Sequence, residues 1–95
     1  MSYPSLSPIP LFPLGRILIT PGAEAILTPP EVSRALRRHQ HGDYGALEPE
    51  DVHQNNRGLS NSGMIMSVYC ATGGTEFWIQ THGTRAQTTI LLPGE

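Results

Sequence analysis

Lysine is absent from this 95-residue chain: its six basic residues are all arginine, and eight acids leave a net charge of −2. A general electrostatic attraction to phosphate backbones is therefore not expected. There is one cysteine, Cys70, so no intrachain disulfide can form. No apolar run approaches the ~20 residues of a membrane-spanning helix. Residues 1–13 lack the charged start and apolar stretch of a secretory signal, which makes a cytoplasmic protein the default expectation. Apolar residues are 38% of the chain and charged residues 15%, both below the usual averages. A chain this short buries only about 60–65% of its unfolded surface, so its core is modest.

Catalytic signatures are missing too. There is no Gly-x-Ser-x-Gly elbow, because Asn61-Ser62-Gly63 reads as a turn, and there is no phosphate-binding glycine loop. Ser67, His82 and Asp43 can be written down as a triad, but no spacing supports it. The sequence predicts no catalytic residues and no cofactor.

Proline and glycine are plentiful, with 9 and 10 copies. Pro4, Pro8, Pro10 and Pro13 predict an extended, polyproline-like arm over residues 1–13, loose at its start, whose Leu11 and Phe12 could dock on the domain formed by residues 14–95. Three runs near the other end read as β-strands: Met64–Cys70, Thr75–Thr81 and Gln87–Leu92. Alternation puts Met64, Met66, Val68 and Cys70 on one face, opposite Ile65, Ser67 and Tyr69. Phe77 and Ile79 share a face, opposite Glu76, Trp78, Gln80 and His82. Gly73-Gly74 and Gly83 supply the turns. Cys70, beside Met66 and Val68, reads as a small buried apolar residue.

Leu14–Ile19 is a fourth strand candidate. Thr20-Pro21 then starts a short helix with Ile26 and Leu27 turned inward. Thr28-Pro29-Pro30-Glu31 is a capping box, and Val32, Ala35, Leu36 and His39 follow at i, i+3, i+4 and i+7 on one helix face. A third helix starts at Pro49, with Glu50 and Asp51 in its first turn and a stripe of Val52, Asn55 or Asn56, and Leu59. Strand, helices, then three strands describe a small single α+β domain. Its sheet is mainly antiparallel, a C-terminal three-stranded meander plus an N-terminal strand, with two or three short helices on one face.

Several short motifs occur in a suggestive order: Leu14-Gly15, Thr20-Pro21-Gly22-Ala23, His41 with Gly42-Asp43-Tyr44-Gly45, Glu50-Asp51 and Asn55, Ser67-Val68-Tyr69, Trp78-Ile79-Gln80-Thr81, and Arg85 through Pro93. In this the chain resembles an uncharacterised "plasmid-related" family of small proteins carried on proteobacterial plasmids and integrated mobile elements. The likeness covers about residues 14–93. It implies a mobile-element setting and no established activity. Thr84 and His82 stand where that family carries acids, so any chemistry those acids perform is absent here.

Two candidate sites follow. The loop from His39 to Gly45 sets His39, His41 and Asp43 close enough in sequence to offer two imidazoles and a carboxylate to zinc. The alternative is a structural loop in which Asp43 caps backbone N–H groups and Tyr44 packs on the sheet. Trp78, His82 and Arg85, with Asp43 and Tyr44, make a candidate partner-binding patch of residue types that anchor protein interfaces. Arg85 could instead tie its loop to Asp51 or Asp43, and a two-pronged Asp43–Arg85 clamp is the favoured pairing. The leading expectation is a non-enzymatic accessory protein that binds another protein, with inhibition of a host defence system (CRISPR or restriction) fitting the mobile-element setting. The alternatives are a small metal- or ligand-binding enzyme built on the His39–Gly45 loop, and a nucleic-acid binder using Arg34, Arg37 and Arg38, against which the acidic balance argues. A homo-oligomer is compatible with the sequence.

Overall fold

The computed structural model describes residues 7–95; the expected loose start of the arm lies outside the described residues. In chain order the elements are β1 (Arg16–Ile19), α1 (Pro21–Ile26), α2 (Pro29–Gln40), α3 (Pro49–Asn61), β2 (Ile65–Cys70), β3 (Glu76–Thr81) and β4 (Gln87–Leu91). The domain is α+β, as its pattern of elements requires. The sheet order is β1-β4-β3-β2, with the β2-β3-β4 meander antiparallel and β1 added parallel to β4. Parallel neighbours need a long connection, and here it is everything from α1 to β3. No helix among the described residues is long and apolar enough to cross a membrane.

The helix starts follow local chemistry. Thr20 caps α1 by accepting from the Ala23 N–H, and Pro21 occupies the first position. Thr28 and Glu31 satisfy each other's backbone N–H groups in the capping box of α2. The α2 stripe packs as its spacing predicts, with Ala35 and His39 buried and Val32 and Leu36 against the core. In α1, Leu27 turns inward but Ile26 is exposed, because the helix ends there and Leu27 is already extended. The second half of the Pro-rich arm is docked. Ser7 and Leu11 donate backbone N–H groups to the His41 and Gln40 carbonyls at the end of α2, and Phe12 is buried edge-on against His39.

All three helices cover one face of the sheet. Ala23, Leu27 and Ala35 pack there on Tyr69, Phe77, Ile79 and Ile90, and Val52 and Leu59 of α3 pack near Ile65. The covered face of β2 is therefore Ile65-Ser67-Tyr69, and Cys70 is exposed rather than buried. The cause is register: Ile65, Ser67 and Tyr69 lie opposite Thr81, Ile79 and Phe77, so the face β3 buries fixes the face β2 buries.

The outer edge of β2 is closed by two substitutes for a strand. Asn55, buried on α3, donates its side-chain amide to the Met66 carbonyl (2.7 Å) and accepts from the Met66 N–H (3.0 Å). One pleat further, Val68 bonds the backbone of Tyr44 and Ala46 in a short parallel bridge through Gly45. Gly45 has φ +70°, and a Cβ there would run into the Val68 carbonyl oxygen. Capping an edge in this way removes a template for unwanted strand pairing.

Candidate functional site

At the centre of the domain lies a buried chain of polar side chains. His39 is fully buried, with Nδ1 2.5 Å from Ser67 Oγ and Nε2 2.8 Å from Thr81 Oγ1. Thr81 Oγ1 is 2.8 Å from Thr88 Oγ1, which donates to the Leu14 carbonyl at 2.7 Å. That carbonyl can only accept, and it fixes the direction of every bond. Thr88 donates to Leu14, so Thr81 donates to Thr88, so His39 Nε2–H donates to Thr81. The imidazole is neutral, because burial pushes its pKa down to about 3. Its bare Nδ1 then accepts from the Ser67 hydroxyl. The pair resembles a nucleophile and its base, but Ser67 and His39 are both fully buried and no reacting carbon can reach Oγ. What the network does is join α2, β2, β3, β4 and the segment that leads into β1.

The other members of the His39–Gly45 loop point elsewhere. Asp43 meets Arg38, with Nε to Oδ2 at 2.7 Å and Nη2 to Oδ1 at 3.3 Å, and it also accepts from the Gly45 N–H. The Arg38 guanidinium holds the Asp43 carboxyl below its ordinary range. Arg38 in turn lies 4.5 Å over the Tyr69 ring, whose hydroxyl donates to the Asp43 carbonyl. His41 Nδ1 donates to the Ser7 carbonyl at 2.7 Å. With both His39 ring nitrogens bonded in the core, His39, His41 and Asp43 do not converge on a common point. Among the described residues no group of three His, Cys, Asp or Glu side chains is placed to hold a metal ion.

Tyr44 packs on the sheet as the structural-loop reading has it, whereas Arg85 is placed otherwise than expected. Tyr44 is buried among Phe12 and Ile65, so it forms no part of a docking surface, and its hydroxyl has no hydrogen-bond partner among the described residues. The favoured Asp43–Arg85 clamp does not exist. Asp43 takes Arg38, only five residues away, whereas Arg85 reaches α3. Its Nη1 donates to the Gly63 carbonyl (2.6 Å) and the His82 carbonyl (3.2 Å), and its Nη2 to the Gly58 carbonyl (2.8 Å). A cation beside the carbonyls at a helix C-terminus suits both the dipole and the unpaired acceptors there. Arg85 adopts φ +63° to do this.

Trp78 and His82 remain available to a partner. They belong to the sheet face that none of the described helices covers. Val68, Trp78 and Leu91 stand in register across β2, β3 and β4, and Met66, Gln80, Thr89 and Leu18 form the next row. Trp78 is half-buried, and its indole N–H donates to Glu76 at 2.9 Å. Leu91, the cross-strand partner of Trp78 on this face, is only 8% exposed. Met64, Gln80, His82, Gln87 and Thr89 outline a shallow hollow of about 170 Å³ at one end. On the opposite layer Arg34 and Arg37, with His41 and the docked arm, line a hollow of about 260 Å³.

Ser67, Thr81 and Thr88 form with His39 a buried centre that no sequence motif assembled, and Asn55 closes the β2 edge. One signal was available: His39 lies on the apolar stripe of α2, so it had to enter the core, and a buried imidazole needs two hydroxyl or carbonyl partners. Compared with known protein families, curated proteins and solved structures, the chain matches none.

Proposed function

We propose that this chain is a non-enzymatic protein-binding module whose contact surface is the uncovered sheet face centred on Trp78. The observation that supports it is the composition of that face. The Val68-Trp78-Leu91 row is apolar and aromatic, and it is bordered by Met66, Leu18 and exposed Met64. Meanwhile four side chains that could do chemistry, Ser67, His39, Asp43 and Arg85, are bonded within the fold. A flat platform holding one rigid aromatic anchor is the usual core of a protein interface. Glu76, hydrogen-bonded to the indole, sets the partner's chemistry: an apolar protein surface carrying an arginine or lysine to meet it. The resemblance to plasmid-borne proteins supports a cytoplasmic, mobile-element setting. A host defence enzyme, of the CRISPR or restriction kind, is the partner class that fits.

Trp78 is the only tryptophan, so its fluorescence reports this face alone. A purified partner obtained by co-purification should shift the Trp78 emission to the blue as the ring is desolvated. Val68→Lys and Trp78→Ala should each weaken binding by roughly tenfold or more, about 1.4 kcal/mol, while the circular dichroism spectrum stays native. Arg34→Gln, on the helical layer, should leave binding unchanged. A partner held equally well by both face variants would overturn the assignment.

A further inference from the structure

The two edges of the sheet are treated differently. The β2 edge is closed by Asn55 and by the Tyr44–Ala46 bridge. Among the described residues nothing closes the β1 edge. Arg16 and Thr20 turn their N–H groups to Ala86 and Ile90 of the β4 side, so alternation turns those of Ile17 and Ile19 outward. Among the described residues nothing bonds those outward groups, and Ile17 is 41% exposed.

We infer that β1 is a dimerisation edge, which pairs antiparallel with β1 of a second copy to make one eight-stranded sheet. The edge is complementary to itself. A two-fold axis through Leu18 sets Ile17 opposite Ile19 of the other copy, and each such pair exchanges two backbone hydrogen bonds. Leu18 then meets Leu18 on the open face, and Arg16 stands across from Thr20 of the other copy. At Thr20 waits a carboxylate: Glu95 accepts from the Thr20 hydroxyl and from the Leu92 N–H, which hold it at that end of the strand. Arg16 is exposed, and the one salt bridge among the described residues is Arg38–Asp43, so Arg16 has no acid of its own. The two-fold thus supplies two Arg16–Glu95 pairs, and a peptide of unrelated sequence has no reason to offer that match. This inference stands apart from the reading of the Trp78 face, which would remain open on both copies.

A contact of four backbone bonds and a few side chains belongs at the small end of interfaces, so the dimer should be concentration-dependent, with a Kd of roughly 10–500 µM. Sedimentation of the full chain should show its mass doubling over that range, and amide exchange at Ile17 and Ile19 should slow as dimer forms. Ile17→Lys, a charge of the kind that keeps natural edges apart, should raise Kd at least about tenfold with the monomer fold intact. Arg16→Glu should raise it several-fold, and adding Glu95→Arg should restore it. A chain that stays monomeric to roughly 1 mM overturns the inference. So does a dimer that ignores all three substitutions, or one that only Val68→Lys dissolves, which would place the contact on the open face instead.

Discussion

Mild acid should destabilise this domain through His39, and the size of the effect can be worked from the network. In the folded chain the imidazole is buried, donates to Thr81 and accepts from Ser67, and its pKa lies near 3. In the unfolded chain an imidazole titrates near the ordinary ~6.5. The depressed value means that the unfolded state binds the proton first. Stability is fully present above about pH 6.5 and is lost as pH falls from there towards 3. Between pH 7 and pH 5 the loss is about 2 kcal/mol, set by the unfolded pKa because the native ring stays neutral throughout. Carboxylates contribute little in this window, since unfolded Asp and Glu titrate near ~4. With a urea slope of roughly 1–1.5 kcal/mol per molar for a domain of this size, the midpoint should drop by roughly 1.3–2 M. His39→Gln should be less stable at pH 7 yet almost indifferent to pH over the same range. Should that variant fail to fold, the wild-type ring resonances carry the test: no titration down to about pH 4.5, and nitrogen shifts of the Nε2–H tautomer. A midpoint that does not move between pH 7 and pH 5, or a ring that titrates near 6.5, would refute the reasoning.

Tyr44→Phe should be neutral or stabilising, by up to about 1 kcal/mol or roughly 4–8 °C in Tm, because it deletes a buried hydroxyl that no described group satisfies; a loss above about 1 kcal/mol would show that the hydroxyl is bonded. For Asp43, a double-mutant cycle with Arg38 should give a coupling of about 0.5–1 kcal/mol, kept small because both side chains are partly exposed. The same cycle with Arg85 should give a value near zero, and a larger Asp43–Arg85 coupling would contradict the geometry.

Local chemistry was the legible part of this chain. Thr28 and Glu31, Thr20 with Pro21, and Pro49 mark helix starts by short-range bonds that need no tertiary partner, and all three helices begin where those residues stand. The meander was legible for the same reason, its strands being separated by turns. What could not be read was pairing across distance. Asp43 and Arg85 are both conspicuous charged residues beside glycines, but nothing in the sequence says that Arg38, in the last turn of α2, takes Asp43 instead. Arg85 looked like an interface residue because guanidinium groups serve carboxylates and carbonyls alike; only the fold shows that the end of α3 comes within its reach. Parallel addition of β1 to β4 was equally silent, since a short apolar strand pairs either way.

The hardest feature to read, the inward face of β2, links the core to the proposed surface. Taken alone, Met64-Met66-Val68-Cys70 is the more apolar side of this strand, and Ile65-Ser67-Tyr69 carries two hydroxyls. β3 decides otherwise, because Phe77 and Ile79 must be buried and cross-strand register brings Tyr69 and Ser67 with them. Two hydroxyls therefore enter the core and need partners. Tyr69 finds the Asp43 carbonyl, and Ser67 finds His39, which extends the bonds to Thr81 and Thr88. By the same choice Met66 and Val68 are turned out beside Trp78, onto a face that none of the described helices covers. The buried polar chain and the exposed apolar platform are thus two sides of one register. A slip of β2 by one residue would hide the platform and strand His39 without Ser67, at a cost of about 1–3 kcal/mol for each orphaned polar group. The hydrogen bonds of His39 hold the Trp78 face outward.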